Sequence, residues 1–125
     1  MPLRVGLDLV EIARLRRLLQ AHPPLAARTF SERELAAVQD ANEFRRYAYL
    51  AGRFATKEAV LKALGTGLSA GIPLGDIETT TADSGAPVLE LSGEALRRAS
   101  EAGFTTFETS ISHDGGIAGA VVVLT

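Results

Sequence analysis

The 125-residue sequence contains no cysteine. That excludes disulfides, thiolate nucleophiles and cysteine-ligated zinc, and leaves the redox state of its compartment open. Neither sign of charge dominates. Thirteen Lys and Arg stand against 15 Asp and Glu, a formal net charge of −2, so no general polycation points to nucleic acid and any anion site must be local. No apolar run approaches the roughly 20 residues that span a bilayer. The opening MPLRVGLDLVEI carries charge too early for a secretory h-region. The expectation is a cytoplasmic protein with no membrane or nucleic-acid partner. Internal repeats, linkers and low-complexity segments are likewise missing.

What is present is ordinary globular composition, 46% hydrophobic and 22% charged, in a chain long enough for one small core. Residues 1–125 are expected to form a single domain, with a core that oligomerisation could extend.

Leu3, Val5, Leu7 and Leu9 alternate with Arg4, Gly6 and Asp8, the pattern of a strand with one buried face. Ile12, Leu15, Leu18 and Leu19 then recur at helical spacing until Pro23-Pro24 stops the helix. Ser31-Glu32-Arg33-Glu34 has the form of a capping box and predicts a second helix from about Glu32 to about Asn42. No proline interrupts Phe44 to Leu64, and Gly52 costs only about 1 kcal/mol relative to Ala, which predicts one long helix ending at Gly65. GTGLSAGIP, residues 65–73, reads as a glycine-rich loop. Residues 77–82 and 87–91 read as strands, 93–103 as a helix stopped by Gly103, and 107–112 and 117–124 as strands joined at HDGG. Helices fill the first half and strands the second, with hairpin-length connections. The predicted class is α+β: a long central helix packed on a small, mainly antiparallel sheet.

The stretch RFATKEAVLKALGTG, residues 53–67, places Glu58 and Lys62 in an arc flanked by Phe54, Ala55, Ala59 and Leu61. An exposed i,i+4 pair is worth about 0.3–0.5 kcal/mol, whereas charges in apolar surroundings cost several kcal/mol each unless compensated. A divalent cation would compensate them. Mg²⁺ takes one or two carboxylates plus waters and phosphate oxygens. Asp8 and Glu58 could supply the carboxylates, although Asp8 also reads as a cap at the strand-to-helix junction. Lys62 could then face a phosphate, with Gly65-Thr66-Gly67 letting backbone N–H groups approach. The loop is not a Walker A motif, for it lacks Gly-Lys-Ser/Thr. His113 and Asp114 lie at a hairpin tip that Asp-Gly alone would explain, and His22 reads as a solvated loop residue. Arg14, Arg16 and Arg17 form either the wet face of an amphipathic helix or a dock for an acidic partner. Ser31 is assigned to capping and not to nucleophilic attack.

In order, GLDLVEIARL (6–15), FSERE (30–34), RFATKEAVLKALGTG (53–67), GAP (85–87) and SISHDGGIAGAVVV (110–123) resemble the motifs of holo-acyl-carrier-protein synthases, the small phosphopantetheinyl transferases. The resemblance covers essentially the whole chain. It implies Mg²⁺-dependent transfer of 4′-phosphopantetheine from coenzyme A to a serine of an apo acyl carrier protein, leaving adenosine 3′,5′-bisphosphate. A role in fatty-acid biosynthesis is implied too, with polyketide carriers left open. It also implies a homotrimer with active sites between subunits. By position, Asp8 and Glu58 match the metal-binding acids and Lys62 the lysine near the transferred phosphate. Arg45, Arg53, Gly65, Thr66, Pro87, Ser112 and His113 match coenzyme A contacts, and Arg14 matches a carrier-docking arginine. One departure is Ser31, where the family often has Thr. The base for the serine proton is Glu58 through a metal-bound water, or Asp114. The rival reading is a nonenzymatic nucleotide- or phosphate-binding module built on the same lysine and loop.

Overall fold

A computed structural model describes residues 2–67 and 70–125 of the chain. Strand β1 (Arg4–Glu11) is followed by helices α1 (Ile12–Ala21), α2 (Pro24–Thr29), α3 (Glu32–Ala36) and α4 (Glu43–Ala63). Strands β2 (Ile77–Thr81) and β3 (Pro87–Leu91), helix α5 (Gly93–Glu101) and strands β4 (Phe107–Asp114) and β5 (Ile117–Leu124) complete it. The strands form one antiparallel sheet in the order β1-β5-β4 and an antiparallel pair β2-β3. This is the α+β arrangement expected.

The alternation of β1 sets the packing. The apolar side of β1, expected to be its buried face, is the exposed one: Val5, Leu7 and Leu9 are 56%, 59% and 68% exposed, because α4 packs on the opposite side, where Gly6 and Asp8, paired with Val122 and Ala120, leave room for a helix. On α4, Ala51, Ala55, Ala59 and Ala63 recur every fourth residue and are all buried, so small side chains line one face. The helix therefore lies very close to β1. A Cβ built on Gly6 would sit 1.9 Å from the Ala59 carbonyl oxygen, and one on Gly52 would sit 2.7 Å from Ile111 Cγ2. Glycine at 52, an apparent weakness in a long helix, is thus a point of close approach to β4.

The β4–β5 hairpin closes through Gly115 and Gly116, with φ of 57° and 82°. A two-residue loop with both φ positive is the turn that matches strand twist, and glycine adopts it without strain. The capping box at Ser31 is present as predicted: Glu34 N–H donates to Ser31 Oγ, and Ser31 N–H donates to Glu34 Oε1.

Three further expectations need correction. Pro23-Pro24 ends α1, but Pro24 also opens the short α2, because proline lacks only an N–H that a first helical turn leaves unpaired. Helix α3 stops at Ala36 and does not run to Asn42; residues 38 and 39 bond three residues back, Val38 turns into the core, and Asn42 instead caps α4 through Arg45 N–H at 2.9 Å. The third concerns charge. The lysine in apolar surroundings is Lys57, with a side chain 1% exposed, whereas Lys62 is 56% exposed. Lys57 Nζ donates to Glu34 Oε1 at 2.8 Å, to Leu74 O at 3.0 Å and to Ile77 O. Burial lowers the Lys57 pKa from the ordinary lysine value, and the Glu34 charge opposes that shift. Of the predicted glycine-rich loop, Leu68 and Ser69 lie outside the described residues.

Candidate active site in two clefts

One cleft, of about 450 Å³, opens between β1, α1, α2 and α4; its walls are mainly apolar and its acids are Asp8, Glu11 and Glu58, for which it is called the acidic cleft. Because Gly6 holds the backbones together, Asp8, two residues on along the same strand face, comes beside Glu58 and Lys62. Lys62 Nζ donates to Asp8 Oδ1 and to Leu7 O, both at 3.0 Å. The i,i+4 pairing of Lys62 with Glu58 considered from sequence is not what forms; the lysine reaches across to β1. Glu58 Oε1 is buried and has no hydrogen-bond partner among the described residues. Burial, and then the neighbouring Asp8 charge, raise the Glu58 pKa above the usual carboxylate range, with Lys62 partly opposing them.

A buried carboxylate oxygen without a partner is costly unless something else satisfies it. The two carboxylates suit Mg²⁺, which needs few protein ligands when waters and substrate oxygens complete its octahedron. Among the described residues no group of three or more acids or histidines is arranged to hold a metal, so the fit is to this two-carboxylate mode. Arg14 lines the cleft's rim from α1. It makes no ion pair among the described residues, whereas Arg16 pairs with Glu43 and Arg17 with Glu11.

The second cleft, of about 560 Å³, is basic. Arg45, Arg53, Pro87, Ser112 and His113 all line it, together with Phe44 and Tyr49. Arg53 is 8% exposed. Its Nε donates to Thr79 O at 3.3 Å, its Nη2 to Thr81 Oγ1 at 2.9 Å, and its guanidinium lies 3.7 Å from the Tyr49 ring centroid. The Tyr49 hydroxyl is the other buried side-chain polar atom without a partner among the described residues. Phe44 is 76% exposed, its ring edge-on to His113. No carboxylate lines this cleft, so cations, an aromatic face and hydroxyls make it fit for an anion that carries a flat ring.

Residues 4–119 match the family described as the 4′-phosphopantetheinyl transferase superfamily. The chain belongs to that superfamily. Within it, the chain is 47% identical over 119 residues to the holo-[acyl-carrier-protein] synthase of Streptomyces avermitilis, covering 95% of this chain and 94% of the relative. It is 43% identical over 124 residues to the synthase of the same name from Natranaerobius thermophilus, covering 96% and 94%. Among solved structures it is similar to a Chronobacterium ammoniagenes synthase–coenzyme A complex, with a TM-score of 0.87, 30% identity and coverage of 100% and 98%. The Helicobacter pylori holo-[acyl-carrier-protein] synthase in complex with coenzyme A gives a TM-score of 0.81 at 31% identity, covering 97% of this chain and 99% of that one.

In this transferase-superfamily chain the sequence-predicted residues divide in two. Asp8, Glu58 and Arg14 line one cleft, and the five coenzyme A candidates from Arg45 to His113 line another. Gly65, with φ of 76°, and Thr66 follow Lys62 at the end of α4 and line neither. Asp114 lies in a third depression with Arg16 and Glu43. Sequence reasoning missed Tyr49 and Phe44. Tyr49 stands four residues before Arg53 on α4, a spacing that puts both on one face and could have flagged it.

Proposed function

We propose that this protein is a holo-acyl-carrier-protein synthase: with Mg²⁺ bound, it transfers 4′-phosphopantetheine from coenzyme A to a serine of an apo acyl carrier protein. The observation that carries this reading is the unpartnered, buried Glu58 oxygen beside Asp8 and Lys62. The names of the relatives and the coenzyme A complexes of similar structures support it. Residues 1–125 act as one transferase domain in the cytoplasm; no helix among the described residues is long and apolar enough to cross a membrane.

In the proposed reaction the serine oxygen forms a bond to the phosphorus that bears the pantetheine arm. The pyrophosphate P–O bond breaks, and adenosine 3′,5′-bisphosphate leaves with the electron pair. Asp8 and Glu58 would hold the Mg²⁺, which would supply charge neutralisation at the pyrophosphate. Lys62, mostly exposed and one turn beyond Glu58, swings from Asp8 towards the phosphate oxygens, where positioning and charge neutralisation account for most of the rate. Arg45, Arg53 and His113 hold the adenosine bisphosphate end. Of the two candidate bases for the serine proton, Glu58 acting through a bound water is preferred, since Asp114 does not line the acidic cleft. Lys62→Ala should lower kcat about a hundredfold; a change confined to the carrier KM would show the lysine misassigned.

Two clefts in one chain, and an apolar outer sheet face at Val5, Leu7 and Leu9, favour assembly. Copies associate as a homotrimer, so that one chain's acidic cleft meets the next chain's basic cleft. The deciding experiment is mass spectrometry of an apo carrier incubated with the protein, coenzyme A and Mg²⁺. A phosphopantetheine mass gain is expected, whereas coenzyme A binding without transfer would favour a nucleotide-binding module.

Arg14 is proposed to dock the acidic carrier, being the α1 arginine left without an ion pair among the described residues. Arg14→Glu should raise the carrier KM and flatten its salt dependence while the coenzyme A KM stays unchanged. Steady-state titrations of each substrate at low and physiological ionic strength check this. An effect on coenzyme A alone would remove Arg14 from the docking surface.

A further inference from the structure

The buried Glu34–Lys57 pair touches neither cleft, yet it leads to one. Glu34 Oε1 accepts from Lys57 Nζ at 2.8 Å, and Glu34 Oε2 accepts from the backbone N–H of Thr79 at 2.9 Å. The carbonyl of that same Thr79 accepts from Arg53 Nε at 3.3 Å, and two residues further along β2 Thr81 Oγ1 accepts from Arg53 Nη2. Lys57 also grips Leu74 O and Ile77 O, at the entry to β2. One connected set of hydrogen bonds thus ties α3, α4 and β2 together and ends on the guanidinium in the basic cleft.

Stability alone does not account for such a pair. Exchanging a fully buried ion pair for apolar side chains is often neutral or stabilising, and fixing register is the best-attested use of buried charge. We propose that Glu34 and Lys57 are positioning residues for coenzyme A recognition. They fix the register of β2 against α4, so that Thr79 and Thr81 hold the Arg53 guanidinium over Tyr49 and facing the ligand's phosphate. Apart from this pair and the Arg53 bonds that it would position, strand β2 and helix α4 share an apolar cluster that includes Ile77 and Val60, and apolar packing is tolerant of sliding. The charged pair bonds four backbone groups, the Ser31 N–H in the cap of α3 and Leu74 O, Ile77 O and the Thr79 N–H at or just before β2, and the last three are what specify one register.

The inference rests on the basic cleft holding the adenosine bisphosphate end of coenzyme A, and the test separates the two. Adenosine 3′,5′-bisphosphate is titrated calorimetrically into wild type, Arg53→Ala, the apolar double variant Glu34→Leu/Lys57→Met, and the triple variant. Each is measured at one protein concentration and at a temperature where circular dichroism shows it folded. The double variant should bind about tenfold more weakly, the size of coupling expected within one hydrogen-bond network. The triple variant should bind no more weakly than Arg53→Ala, because the pair acts only through Arg53, and the carrier KM of the double variant should match wild type. Wild-type affinity in the double variant, or a tenfold loss repeated in full on the Arg53→Ala background, would overturn the proposal. Unchanged affinity in Arg53→Ala would instead overturn the assignment of the cleft on which it stands. If the apolar double variant does not fold, Glu34→Gln/Lys57→Met, which retains an acceptor for Thr79 N–H, replaces it in the same cycle: a tenfold loss that vanishes on the Arg53→Ala background is again expected, and wild-type affinity again overturns the proposal.

Discussion

Glu58→Ala should abolish transfer, lowering turnover about a thousandfold or more, and should leave the melting temperature equal to or above that of wild type. In the proposed reaction the loss follows from removing one of the two carboxylates placed to hold Mg²⁺, Glu11 on the same cleft being turned to Arg17, and the metal's charge neutralisation is worth several kcal/mol in such transition states. The preserved stability follows from Glu58 Oε1 lacking any partner among the described residues: its removal orphans nothing and relieves a buried charge. Asp8→Ala should be equally inactive. It frees Lys62, but that lysine is mostly exposed and its pairing contributes little. Activity with melting curves and Mg²⁺-induced thermal shifts checks both variants; near-normal activity of either at low Mg²⁺ would sink the metal assignment. The raised Glu58 pKa adds a sign. In EDTA, stability due to this group is fully present below the unfolded glutamate pKa and is lost as pH rises through the higher folded value. Glu58→Gln should remove that loss, and Mg²⁺ should suppress it.

Gly6→Ala should be the most damaging conservative substitution in the chain. Its new Cβ would lie 1.9 Å from the Ala59 carbonyl oxygen and 2.7 Å from the Ala59 carbonyl carbon, and helix backbone has no rotamer with which to escape. Helix α4 must lift from β1, at a cost at or beyond the upper end of the range of about 1–3 kcal/mol usual for overpacking. Lifting α4 also separates Asp8 from Glu58 and Lys62, so any folded fraction should bind Mg²⁺ poorly. Gly52→Ala is the control. Its clash is with Ile111 Cγ2, a side-chain methyl that moves with a stiff but rotatable χ1 and not a helix carbonyl, and denaturant titration should rank it below Gly6→Ala. Equal midpoints for the two variants would contradict the close-approach account.

Local chemistry was legible in the sequence. The strand at β1, the capping box at Ser31, the two-glycine hairpin loop and the length of α4 each depend on neighbours a few residues apart, whereas which face of β1 is covered depends on where α4 packs and is the reverse of what the alternation predicts. What escaped depends on distant partners. Nothing near Lys57 distinguishes it from a surface lysine, because Glu34, Leu74 and Ile77 lie 17 to 23 residues away along the chain. The early end of α3 likewise reflects burial of Val38 in a core shared with α1 and α4, which overrides a favourable helical pattern. For the candidate site, Asp8 and Glu58 stand out from the residues themselves and the basic cluster from the resemblance, but their division between two clefts requires the topology. The sequence order of β1 and β4 does not reveal that β5 lies between them.

That division has a genetic corollary. A chain inactivated in its acidic cleft by Glu58→Ala keeps an intact basic cleft, and a chain inactivated by Arg53→Ala keeps the reverse. If the clefts cooperate only across neighbouring copies of a cyclic assembly, two dead alleles mixed and reassembled should yield live sites wherever the right neighbours meet, about one quarter of positions for equal, random mixing. Each allele alone would yield none. Recovery of activity on mixing would therefore show that each working site takes its acidic and basic halves from different copies, without any structure of the assembly.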